Sequence, residues 1–294
     1  MKLSDFQHSN GIPFEEQLIL INNPNIFDGF SPVFSPWKPS PLKKLLARFT
    51  AISARWRKLK SNRIFAGYFD RSFDHLERLD SVFDAIRRNV NEEYELVIGK
   101  GDYLINDTFL SKLPNNVTKL FANNVDVLDE RVQYLPMVRD FRSIGVFENR
   151  KPNGDKRILC YCNFSTNTHP VRQAVAQLVK DKQYVSKQHF GTFLNYKVSR
   201  TEFYDDLESA KFCICPRGNA FDTFRMWDAL YCGTIPIVVK EAVFHDSLSD
   251  LPIYFINSYE TFGDLDEAQL EETYQEMRNT VYNFEKLKAA HWLS

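Results

Sequence analysis

Residues 212–239 read FCICPRGNAFDTFRMWDALYCGTIPIVV. The order is apolar run, polar loop, helix, glycine, apolar run. Phe212 to Cys215 is short, apolar and closed by Pro216, as a strand buried in a parallel sheet would be. Arg217-Gly218-Asn219 opens a loop. Asp222 or Asn219 suits the cap of the following helix, where Phe224, Trp227 and Leu230 recur as a buried stripe. Gly233 ends that helix as a C-terminal cap, and residues 235–239 resume as a buried strand. A loop leaving the carboxyl end of a parallel strand lies where open α/β sheets bind ligands. The helix N-terminus beyond it offers free N–H groups and partial positive charge, which suit phosphate. Arg217 and Arg225 add two cations, and Asp228 follows Arg225 on one helical face. A diphosphate joined to a ribose calls for this set: cations for the phosphates and a carboxylate for the hydroxyls.

These residues resemble the donor-binding signature of exostosin-like glycosyltransferases. There a Pro-Arg-Gly loop precedes an Arg-Phe-x-Glu-Ala-Leu helix and a Gly-x-x-Pro-Val strand. The run is also similar to the α1,3-fucosyltransferase signature. The shared landmarks here are Thr223, Arg225, Ala229, Leu230, Gly233, Pro236 and Val238. Phe224 stands where the fucosyltransferases carry glutamate, and Asp228 where the exostosins carry glutamate. The resemblance implies a GT-B type α/β fold: two Rossmann-like domains with a cleft between them. Its implied domains are an acceptor-binding half over residues 1–148, a nucleotide-sugar-binding half over residues 149–280, and a last helix, residues 281–294, packing back on the first half.

Bulk properties fit that reading and exclude others. The chain has 294 residues, 44% apolar, with a formal net charge of −1. That is length for two domains and no global electrostatic case for nucleic-acid binding. No apolar run is long enough to span a bilayer, and the first residues lack a signal-peptide core, so the expected location is the cytoplasm. Residues 41–63 carry Lys43, Lys44, Arg48, Arg55, Arg57, Lys58, Lys60 and Arg63 without an acid, over Leu42, Leu45, Leu46, Phe49, Ile52 and Trp56. That is a basic amphipathic helix, suited to a solvated surface or to peripheral contact with an anionic membrane or acceptor. Cys160, Cys162, Cys213 and Cys215 form two Cys-x-Cys pairs. Buried free thiols are the default, and a zinc site would require all four to share one face.

Along the chain, residues 18–21, 63–68, 94–98 and 117–121 read as strands and residues 75–88 as a helix. Gly99-Lys100-Gly101-Asp102 follows one strand end, but the spacing is not that of a Walker phosphate loop. Phe121, Asn124, Asp126, Leu135 and Pro136 look like the end of the first exostosin domain, and residues 149–156 read as the linker. Residues 157–162 form a strand that ends in Asn163-Phe164-Ser165-Thr166-Asn167, with a helix from Val171 to Lys180 beyond His169-Pro170. Residues 201–209 are helical, residues 242–248 form a further element, 253–256 a last strand, and 265–288 a helix.

The expected reaction is transfer of a sugar from a nucleotide-sugar donor to a glycan or lipid-linked acceptor. The leaving diphosphate gains charge, and preorganised cations at that point supply the largest catalytic effect. The donor set is Phe164, Ser165, Asn167, Arg172, Arg217, Gly218, Asn219, Asp222, Thr223, Arg225 and Asp228. No metal or other cofactor is called for, and UDP and GDP are both open. An inverting reaction also needs a base from the first domain: Asp102, with Asp126 and Asp70 as substitutes. His169 suits a helix cap better than a base. A glycan-binding or assembly protein that keeps the fold without turnover stays open beside the enzyme.

Overall fold

The structure is a computed structural model, described here for residues 1–8, 12, 31–34, 62–66, 75–98, 103–137, 155–185, 187–191 and 198–293. The expected strand at 18–21, the basic helix at 41–63 up to Ser61, and Asp70, Asp102 and residues 149–154 lie outside them. The chain divides into two units, Leu20–Met137 and Met1–Ile19 with Val138–Ser294.

In the first of these, five parallel strands are described: β1 (Ser31–Phe34), β2 (Arg63–Ala66), β3 (Tyr94–Ile98), β4 (Val117–Ala122) and β5 (Val132–Tyr134). They stand in sequence order across the sheet. The chain also forms helix α2 (His75–Arg87) and the short α3 (Asp107–Leu110), which Asn106 caps by accepting from Phe109 N. Leu79, Val82, Phe83 and Ile86 of α2 are buried, the i, i+3, i+4 stripe of a helix laid on a core.

The second unit opens with α1 (Leu3–His8). Its sheet comprises β6 (Ile158–Ser165), β7 (Lys187–Gly191), β8 (Ala210–Ile214), β9 (Ile235–Val239) and β10 (Tyr254–Ile256), all parallel. Their order is β10-β9-β8-β6-β7. Between them run α4 (Pro170–Val179), α5 (Arg200–Ser209) and α6 (Phe224–Tyr231). A 3-10 turn (Val243–Leu248), α7 (Tyr259–Gly263), α8 (Glu267–Asn279), a second 3-10 turn (Phe284–Leu287) and α9 (Ala289–Leu293) complete the unit. The α/β architecture with two parallel, Rossmann-like sheets is therefore present as expected for the GT-B class.

Three features differ from expectation. The first nineteen residues group with the second sheet, and the division falls at 137/138, not at 148/149. The cause at the N-terminus is packing: Leu3 and Phe6 are buried, Phe6 stacks on Phe284 at 4.2 Å, and Gln7 Nε2 donates to Gly233 O at 2.7 Å. Residues 281–293 accordingly stay within this same unit: Val281 bridges to Lys2 beside α1, and the Tyr231 hydroxyl of α6 donates to Leu287 O. Finally, α6 is covered on its polar face as well as its apolar one. Every residue from Arg225 to Tyr231 is buried, and the more open one is Phe224 at its start.

The cysteines settle by register. Tyr161 of β6 stands beside Cys213 of β8, and Cys160 beside Phe212. Side chains alternate along a strand, so Cys160 and Cys162 face one side of the sheet and Cys213 and Cys215 the other. The strands are neighbours, but four thiols cannot converge on one ion. All five cysteines are free and buried.

Candidate functional site

In the second sheet the strand order reverses once. From β6 the chain steps outward to β7, then crosses back to β8 on the other side. Open α/β sheets bind ligands at the carboxyl ends of strands flanking such a switch. The residues there are Ser165–Asn167 after β6 and Cys215–Thr223 after β8, the two segments the sequence singles out.

Arg172 joins them. It is 7% exposed, in the first turn of α4. Its Nη1 donates to Ser165 O at 3.2 Å, Nη2 to Pro216 O at 3.2 Å and Nε to Arg217 O at 2.8 Å. One guanidinium thus ties both strand ends across the switch point. A planar fork suits this role where an ammonium would not. The same fork explains Gly218: a β-carbon there would stand 3.1 Å from Arg172 Nη2. Arg172 is therefore placed to shape the loop after β8. His169 caps α4, its Nδ1 accepting from Val171 N at 3.3 Å, and Pro170 at the first helical position fits that start.

The loop itself is built on buried polar groups. Thr223, and neither Asp222 nor Asn219, caps α6, its hydroxyl accepting from Met226 N at 3.2 Å. Asp222 is 1% exposed and accepts instead from the indole of Trp227 at 3.0 Å. The side chain that looked like a cap holds the helix core to the loop. Gly233 ends α6 with φ of 61°, the left-handed cap expected of glycine.

Arg217 and Arg225 part company. Arg217 lies over the Phe221 ring at 3.9 Å, with its Nε 3.6 Å from Glu241 Oε1. It forms part of the wall of a pocket of about 220 Å³, with Phe221, Glu241, Ser258, Tyr259 and apolar residues of α4 such as Val175. Arg225 is 8% exposed, its guanidinium 5.8 Å from the Phe164 ring, and Arg172 stands 5.9 Å from that ring too. Arg225 is not among the residues of that pocket. Its charge is felt inside the sheet, where it works against the burial that raises the Tyr161 hydroxyl and the Cys162 and Cys213 thiols. Asp228 is 4% exposed. The two cations named together in the sequence thus serve two places: Arg217 the pocket wall, Arg225 the buried floor behind Phe164. Ser165 is buried and Asn167 exposed.

The pocket also holds residues that motif reading passed over. Glu241 follows β9, and Asn257, Ser258, Tyr259 and Glu260 follow β10. The strand-end rule applied to Val239 and Ile256 would have found them. Tyr259 is 5% exposed, and its hydroxyl, sealed from water, makes no hydrogen bond among the described residues. Burial pushes its pKa well above the usual tyrosine range, so it stays a neutral donor. In the other unit, Asp126 follows the bridge between Ile105 and Val125, at the carboxyl end of β4.

The sequence profile of the Exostosin GT47 domain matches residues 87–251, more than half of the chain. The chain belongs to the Exostosin GT47 domain family. In this exostosin GT47 chain the matched span runs from the end of α2 beyond β9, taking in the switch point, Arg172 and the loop after β8. No curated protein matches the chain. Solved structures that resemble it include an α1,3-fucosyltransferase, at 13% identity over 76% of this chain and 70% of that one, TM-score 0.43. An apo structure of OtsA matches at 11% identity over 87% and 77%, TM-score 0.48. A UDP-forming α,α-trehalose-phosphate synthase from Burkholderia xenovorans matches at 8% identity over 87% and 78%, TM-score 0.45. Among the described residues no helix is long and apolar enough to cross a membrane.

Proposed function

We propose that this exostosin GT47 domain moves a sugar from a nucleoside-diphosphate donor to a glycan acceptor, and that the second unit holds the donor. The observation that carries this reading is the bridged switch point. Arg172 fixes both strand ends, and Arg217 projects from the loop it fixes into a pocket with an apolar floor and a polar rim. A nucleoside suits such a pocket: its base rests on Val175 and its neighbours of α4, its hydroxyls reach Glu241, and the Tyr259 hydroxyl gains an acceptor. The diphosphate then lies toward Arg217 and the amides preceding α6, where charge developing on the leaving group is met by groups already in place. Charge neutralisation in this reading falls to guanidinium and amide groups, without a resident metal. The base that takes the acceptor proton is assigned to Asp102, beyond β3 in sequence, in the other unit.

The test is thermal unfolding of the full chain with UDP, GDP and their sugar conjugates. A ligand bound to the native state alone, at a hundred times its Kd, adds about 2.7 kcal/mol. One diphosphate series should stabilise wild type, and Arg217→Ala should lose most of that gain while keeping its unliganded melting point. Absence of stabilisation by either series, or an unchanged response in Arg217→Ala, overturns the donor site. Binding without transfer to any glycan would mark a glycan-assembly protein that retains the fold.

A further inference from the structure

Among the described residues outside the donor loop, a further group of metal-ligating side chains comes together. His189 lies on the edge strand β7, and Glu202 and Asp206 lie on α5, which packs over the neighbouring strands β6 and β8. One ligand atom from each falls within 4.8 Å of the others. Glu202 and Asp206 are four residues apart, so they stand one above the other on a single helical face. His189 faces them because it shares its side of the sheet with its register neighbour Asn163 and with Tyr161.

The His189–Asp206 distance fits a shared ion better than a hydrogen bond, and the Glu202 side chain would swing in to complete the set. His189 Nε2 is sealed from solvent and makes no hydrogen bond among the described residues. It stands 3.6 Å from Asp206 Oδ2, beyond the 2.7–3.2 Å of an N–H···O bond. Two ligands of one tetrahedral zinc, each about 2.0–2.1 Å from the metal, lie about 3.3 Å apart. The imidazole is also held in orientation, its ring edge-on to Tyr161 with centroids 6.2 Å apart. Asp206 is 9% exposed, whereas Glu202 is open to solvent. The site therefore has two fixed ligands and one mobile arm by which an ion enters.

We propose that His189, Glu202 and Asp206 bind a divalent cation of the zinc class, with solvent in the fourth position. One imidazole with two carboxylates is a borderline donor set, suited to zinc and its transition-metal neighbours ahead of magnesium. The ion links β7 to α5, the helix that leads directly into β8 and the donor loop. Its role is a clip on the edge of the sheet, separate from the chemistry proposed for the loop.

The experiment uses the full chain, stripped with a chelator and kept reduced, then titrated with Zn²⁺ by calorimetry and with Co²⁺ by absorption. Expected are one Zn²⁺ per chain, a raised melting point, and cobalt d–d bands without thiolate charge transfer. Loss of an outer-shell partner already weakens metal sites about 10–100-fold, so Glu202→Gln should weaken binding at least about tenfold and His189→Gln abolish it. Glu202 is exposed, so its variant stays folded and keeps the test decisive. Lack of Zn²⁺ binding by wild type, undiminished affinity in Glu202→Gln, or a cobalt spectrum of thiolate ligation overturns the proposal.

Discussion

The two units use the same parallel α/β plan and differ at their strand ends. In the unit of Leu20–Met137 the described strands keep sequence order, β1 to β5, with no reversal. The loop after β4 is tied mainly by backbone to the segment after β3: Ile105 N donates to Asn124 O and Asp126 N to Ile105 O. In the other unit the order reverses between β6 and β8, and the crevice is spanned by a buried arginine that donates to three carbonyls. A loop pinned by main chain tolerates side-chain change. A loop pinned by one guanidinium depends on that residue. The difference teaches where charge is invested: the unit read as donor-binding holds Arg172, Arg217 and Arg225 around one strand-end loop.

Breaking that fork should have the largest effect. Charge-assisted hydrogen bonds contribute about 1.5–3 kcal/mol each, so Arg172→Ala should cost at least about 3 kcal/mol in urea unfolding. It should also abolish the stabilisation by a diphosphate nucleotide, because the carbonyls of Pro216 and Arg217 lose their anchor. Arg172→Lys keeps the charge but not the fork, and should recover little of either. Wild-type nucleotide response in Arg172→Ala would show that the loop holds itself, and the contrast between the units would vanish.

The units also differ in cysteine. All five lie at or after Cys160, within the unit of the second sheet. Burial holds the thiols of Cys160, Cys162 and Cys213 well above their ordinary range. A raised native pKa contributes stability that is complete below the unfolded value, about 8.5, and is lost as pH climbs past it. Lys156 acts the other way. It donates to Cys232 O and Thr234 Oγ1, and loss of hydration lowers its pKa to about 8. Its protonation is a cost to the native state below that pH, relieved between about 8 and 10.4. Three thiols against one lysine leave a net loss of at least about two proton equivalents, about 3 kcal/mol per pH unit, between pH 9 and 10, and the buried tyrosines Tyr161, Tyr184 and Tyr259, also raised, add to it as pH nears 10. Denaturant melts under reducing conditions should show this slope in the second unit, and Cys160→Ala should reduce it by about 1.4 kcal/mol per pH unit. A flat profile would mean that the thiols titrate normally in the native state.

Much of this was legible in the sequence where burial is complete. The central strands β6, β8 and β9 are apolar, and the loop and helix between β8 and β9 carry strong local signals. Of the edge strands, β10 was legible and β5 and β7 were not. KQHFG of β7 and VQY of β5 have polar side chains because a strand at the margin of a sheet is covered on fewer sides. Capping was legible only in kind: the sequence suggests Asp222 or Asn219, whereas Thr223 is the cap, because the indole of Trp227 claims Asp222. The resemblance pointed to Arg172, but its three carbonyl partners come from a strand crossing that no local pattern encodes. Nor does local sequence show that Cys160 and Cys213 sit on opposite faces, since a register between strands fifty residues apart decides it.

The smallest effect sharpens the comparison from the other side. Asn124 has φ of 56°, is 1% exposed, and donates from Nδ2 to Tyr103 O at 3.0 Å. Asn124→Gly accepts the left-handed backbone and loses the side-chain bond, a cost of about 1 kcal/mol. Asn124→Ala loses the same bond and adds a left-handed penalty of about 1–2 kcal/mol. The order of stability should be wild type, then glycine, then alanine. Both variants should keep the full melting-point response to nucleotide, because the donor is read in the other unit, while transfer to acceptor falls. Loss of nucleotide response in Asn124→Gly at unchanged fold would place part of the donor site in the main-chain-pinned loop, against the division of labour between the two sheets.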